Sequence, residues 1–255
     1  MDNSNEAYES LRLIASSYNS FTGDALNRIM NICGDLIQDE LPGYVKKNLG
    51  EIDGECCRLM RNRLLLKGIS DRIISEKDDD GSTCSFPDVY SNCCRTVEAI
   101  CSHAGVEFSF SSFLPDCVLG ISSKECCYLL MLPIALALER DKNAKLWLIA
   151  SKKHRRLELE YASSVEMPQI ADLVEECRKT DYSSGLFFAE PLLGLNLHNA
   201  AEDCGALLYE QNKKLTLSIP ILNPDTTVTS PSESYIDNRF SLPYIMLSDV
   251  IRREI

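Results

Sequence analysis

Along the first third of the chain, apolar residues recur at intervals of three and four. Leu11, Ile14, Tyr18, Phe21, Ala25, Ile29, Ile32 and Leu36 share one stripe of a helix. After Pro42-Gly43, the residues Val45, Leu49, Ile52, Cys56, Leu59, Leu66 and Ile73 repeat the pattern. Two such helices predict an antiparallel hairpin over residues 1–76. Its apolar stripe is longer than one partner helix covers, so a second copy completing a four-helix bundle, and with it a homodimer, is expected.

The run Glu76–Thr83 is polar and charged, and marks a linker over 77–86. From Pro87 to residue 222 the pattern alternates between helical and strand periods. Asp88 is the expected N-cap of a helix reaching about His103 and stopped by Gly105. Val106, Phe108 and Phe110 alternate with polar residues as a strand, and Cys117–Ile121 is a second. Ser122 or Ser123 then caps an apolar helix, Lys124–Arg140. Leu146–Ser151 and Leu157–Tyr161 predict a hairpin around the basic turn Lys152–Arg156, which reads as a solvated tip. Gln169–Lys179 and Leu192–Asp203 read as helices and Leu186–Ala189 as an apolar stretch, with strands at Ala206–Gln211 and Leu215–Ile219. In the extension 223–255, Thr226–Glu233 should be loose and Leu242–Ile251 should dock. The whole is α+β: a helical hairpin followed by an α/β sandwich.

Charge narrows the function. A formal net charge of -12 argues against nucleic acid as a partner, because that binding rests on Lys and Arg neutralising phosphates. No apolar run approaches the length that spans a bilayer, and no signal peptide is expected. Twelve cysteines include three vicinal pairs but no Cys-x-x-Cys, and neighbours on a helix point about 100° apart, so they are poor chelates. Free thiols in this number fit a reducing, cytoplasmic compartment better than an extracellular disulfide scaffold. No metal site is expected.

Candidate chemistry is sparse. His103, His154 and His198 lie on separate elements with no ligand or nucleophile at a matching spacing. The segment Glu190–Leu197 has the shape of a phosphate-binding loop opening a helix, yet only Gly194 keeps the freedom that lets backbone N–H groups approach a phosphate.

The element order, taken over residues 8–222, resembles the core of bacterial sensor histidine kinases: a dimerisation hairpin and an ATPase domain of the kinase, gyrase and heat-shock chaperone type. The resemblance implies a phosphoacceptor histidine in Phe-x-His-Glu-Leu-Arg; here Phe21 and Asp24 match, and Gly23 occupies the histidine position. It implies two Mg²⁺-side asparagines where this chain has Pro133 and Ala137. It implies an adenine-binding Asp-x-Gly-x-Gly, against Ala162–Pro168 here, with Glu166 a weak substitute. Of the final glycine box, Leu193, Gly194 and Leu195 agree, so Gly194 and Leu195 are the remnant of a nucleotide site. Gly205 and Leu215–Pro220 match scaffold positions. These residues imply a degenerate, catalytically inactive signalling protein, without catalytic residues or a required cofactor. It would act by dimerisation and by binding a response regulator or a true histidine kinase. The alternative is a kinase of two-component signalling that retains ATP and Mg²⁺ through displaced residues; a third reading is an adaptor or phosphotransfer-like module.

Overall fold

The computed structural model describes residues 21–74, 81–179, 189–211, 213–223, 225–235, 238 and 240–247. Leu11, Ile14, Tyr18 and Leu186, which enter the sequence expectations, lie outside them. The chain divides into two compact units, Met1–Asp78 and Asp79–Glu254.

The first unit is the helical hairpin. Helix α1, described over 21–38, ends in a turn in which Asp39 N–H donates to the Leu36 carbonyl at 3.2 Å. Helix α2 follows over Gly43–Ile74, just after Pro42, whose missing N–H costs nothing ahead of a first turn. The buried residues of α1 are Gly23, Leu26, Met30 and Cys33; those of α2 include Cys56, Met60 and Leu65. Of the stripe expected from sequence, Cys56 is buried and Ala25, Val45 and Leu49 are half-buried, but most of its larger residues face outward. Phe21, Ile29, Ile32 and Leu36 are exposed, as are Ile52, Leu59 and Leu66. Small and sulfur-bearing residues let two helices approach, whereas ranking residues by hydrophobicity selects the Ile and Leu face.

The second unit is an α/β sandwich. A short strand β1 (Cys84–Ser85) leads into α3 (Phe86–His103), whose N-cap is Ser85 rather than Asp88; Asp88 lies in the first turn. Pro87 explains the earlier start, since a proline is tolerated in the first turn, where N–H groups have no intrahelical partner. The turn after α3 needs φ +67° at Gly105, a left-handed conformation suited to glycine. Strands β2 (Phe108–Phe110) and β3 (Val118–Leu119) follow, and β3 pairs with β1. Helix α4 (Ser123–Arg140) opens on a capping box: Ser122 Oγ accepts from the Glu125 N–H while the Glu125 carboxylate accepts from the Ser122 N–H.

Strands β4 (Leu146–Lys153) and β5 (Arg156–Ser163) form the expected hairpin, with His154 at φ 57° in its two-residue turn. Then come α5 (Ile170–Lys179), α6 (Ala189–Asp203), β6 (Leu207–Gln211), β7 (Lys214–Pro220) and the short α7 (Leu242–Met246). The main sheet has the order β2-β4-β5-β7-β6, with β2 and β4 parallel and the other pairs antiparallel. Leu148, Leu159 and Leu217 are among the residues its strands bury, and Trp147 and Ile149 stay exposed, which is the two-residue alternation of a sheet covered on one side. Helix α4 is buried nearly all round, packed between α3, α6 and α7.

The stretch expected to be loose is pinned. Thr83 N–H donates to Thr229 Oγ1 at 2.9 Å, and Thr83 Oγ1 donates to the Thr227 carbonyl at 2.6 Å. Ser123 bonds Ser230 twice, and Asn92 donates to Ser232 Oγ at 2.7 Å. The polar composition of this stretch, which suggests a solvated loop, supplies the hydroxyls that hold it in place. Beyond it, Tyr235 and residues 245–247 are buried, so the terminal segment docks over its described part; residues 248–251 of that expectation lie outside the described residues.

Candidate functional site

Three pieces of the second unit converge on one open cleft of about 690 Å³. The last turn of α4 supplies Glu139 and Arg140, the chain after β5 supplies Glu166 to Gln169, and α5 with the first turn of α6 supplies Asp172, Glu176 and Glu190. Of these, Glu139, Glu166 to Pro168 and Glu190 fall in the segments that the resemblance assigns to the magnesium, adenine and glycine boxes, whereas Arg140 and α5 lie outside them. Arg140 is the sole cation among the described lining residues, facing five carboxylates. Its Nε lies 2.8 Å from Glu190 Oε1, and its Nη1 donates to the Glu166 carbonyl at 3.0 Å. One guanidinium thus ties all three walls together.

Each residue singled out from sequence has a definite place. Gly194 sits inside α6, not in a loop ahead of it. A Cβ there would stand 2.5 Å from Leu173 Cβ and 2.6 Å from Leu173 Cδ1, so the glycine lets α5 and α6 close on one another. Leu195 is half-buried on the same helix. Pro133 and Ala137 are buried in α4 and border a crevice of about 10 Å³ together with Phe108, Tyr161 and Met167. That crevice is about the size of one water and offers few oxygens. Gly23 is buried in the hairpin, where an added Cβ would collide with the guanidinium of Arg63, a side chain able to move.

The fit to a magnesium nucleotide is poor. A hard cation wants oxygen ligands, and the two positions the resemblance gives to asparagine carry a proline and an alanine. Carboxylates crowding the cleft oppose a polyphosphate. No cluster of three or more His, Cys, Asp or Glu with metal-binding geometry occurs among the described residues. The buried thiols are equally unsuited to nucleophilic work: desolvation pushes Cys101 up to about 12 and Cys117 up to about 11, where the neutral thiol dominates near pH 7.

Arg140 and its acidic surroundings carry no weight in the sequence reading. Its position at the end of α4 was legible, but nothing in the linear order says that residues 140, 166 and 190 meet.

An N-terminal helical hairpin followed by this mixed sandwich is the fold of the histidine-kinase ATPase type. Full-length histidine kinase ShkA, solved in complex with AMPPNP, matches with a TM-score of 0.57 at 12% identity, over 85% of this chain and 47% of its own. Histidine kinase ThkA in complex with the response regulator TrrA matches at TM-score 0.48 and 15% identity, over 86% of this chain and 65% of that one. Histidine kinase AdeS of Acinetobacter baumannii gives 0.46 and 14%, over 78% and 98%. This chain spans about half the length of ShkA, and at such identities the likeness is one of fold. No protein-family model and no curated protein matches the sequence.

Proposed function

We propose that this protein is a degenerate histidine-kinase-like signalling protein that works by dimerisation and partner binding rather than by phosphoryl transfer. The observation that carries this reading is the cleft: five carboxylates, one guanidinium already paired with Glu190, and an apolar seam at Pro133 and Ala137. Gly23 adds to it, because glycine offers no nucleophile at the position given to the acceptor. A response regulator or an intact histidine kinase is the partner class that the resemblance implies. The free thiols, most of them buried in α1 to α5, suit a reducing cytoplasm.

The test is a titration with ATP and Mg²⁺ followed by thermal unfolding, since a ligand bound to the native state must raise apparent stability. We expect no shift at millimolar nucleotide and no radiolabel on the protein from ATP. The cleft volume falls within the range of small-molecule sites, which favours the alternative of a kinase retaining ATP. A saturable rise in melting temperature would establish that alternative and sink the inactive reading.

A further inference from the structure

Arg140 ends α4, and Glu190 lies in the first turn of α6, so the pair joins two helices across the mouth of the cleft. A guanidinium is a planar fork of N–H donors that suits carboxylate and phosphate alike. The place Glu190 takes at 2.8 Å is therefore an anion seat. The remaining contact of Arg140, to the Glu166 carbonyl at 3.0 Å, is to backbone and keeps the fork oriented into the cleft. Both side chains are about one-third exposed, at 36% and 29%, so water and small solutes reach the pair.

The geometry points to an internal closure: the Glu190 carboxylate stands in, as a tethered anion, for a phosphate-bearing ligand at Arg140, and shuts the cleft from within. Tethering gives the carboxylate a high effective concentration that a free anion must outcompete. Glu139, Glu166, Asp172 and Glu176 raise the barrier further by repelling any incoming anion. The inference rests on the proposal that the resting protein does not take nucleotide, and it supplies a residue-level cause.

Neutralising Glu190 is the test. Metal-free ADP and inorganic pyrophosphate are titrated against the parent chain, Glu190→Gln, and Arg140→Ala/Glu190→Gln, with thermal unfolding as the readout. Glu190→Ala serves as a second variant should the amide disturb folding, which far-UV circular dichroism monitors. The parent and the double variant should not respond, whereas Glu190→Gln should gain about 3–6 °C at roughly ten times its Kd. Folded but silent Glu190→Gln and Glu190→Ala would overturn the closure and leave the proposed function standing. A response retained without Arg140 would also overturn it, because the anion would sit elsewhere. A parent that responds as strongly as Glu190→Gln would remove both the closure and the inactive reading.

Discussion

Gly194 shows how one residue type serves two ends. Flanked by leucines before a helix, it has the sequence signature of a phosphate cradle, but in the fold its missing Cβ is filled by Leu173. Gly194→Ala should destabilise the protein. Overpacking costs about 1–3 kcal/mol, partly offset by about 1 kcal/mol of helix propensity. Urea unfolding should give a net loss of about 1 kcal/mol that Leu173→Ala relieves in the double variant. A stabilised Gly194→Ala would show that the glycine serves something other than packing. Arg140 makes the complementary case, invisible in sequence because an arginine at a helix end is ordinary until its partners are known.

At the scale of elements, the packing of α3 against α4 is rich in thiols. Cys93 Sγ lies 3.6 Å from Met131 Sδ, and hydrogen bonding to another thiol (Cys127 for Cys93, Cys84 for Cys126), followed by burial, pushes Cys93 and Cys126 well above their ordinary value of 9.0. Desolvation alone raises Cys101, and it leads for Cys117. For a thiol, a raised folded pKa means that the folded state holds its proton longer than the unfolded state. The associated stability is complete below about pH 9 and falls as pH climbs toward 11 or 12, by roughly 1.4 kcal/mol per pH unit per buried thiol. The melting temperature should therefore drop steeply between about pH 9 and pH 10.5, with little change from about pH 7 to pH 8.5. A flat alkaline profile would mean that these thiols ionise freely in the folded protein. Element positions were largely legible in the sequence, since periods of two and 3.6 survive in β4, β5 and α5. The start of α3 and the pinned stretch at 226–232 were not, because both depend on partners distant in the chain.

For the whole molecule, the exposed faces of the hairpin argue for a second copy. Ile52, Leu59 and Leu66 follow one another at seven-residue spacing and are 46%, 51% and 48% exposed. Ile29, Ile32 and Leu36 add a matching stripe on α1. A seven-residue apolar repeat is the seam of helices that pack in bundles. Sedimentation should find a dimer at about 10 µM, and Leu59→Glu should shift it to monomer by burying a charge without a partner. A parent chain that sediments as a monomer would overturn the dimer.

The sequence by itself determined the element order and the alternation of helical and strand periods. Hydrophobic period and residue chemistry are local properties, and each can be read without knowing what lies opposite. Only the tertiary structure decided which stripe of the hairpin faces inward, that Gly194 spaces two helices, and that Arg140, Glu166 and Glu190 meet at one cleft. Those facts depend on distances between residues far apart in the chain, which the packing of helices onto a sheet sets and a linear pattern does not encode.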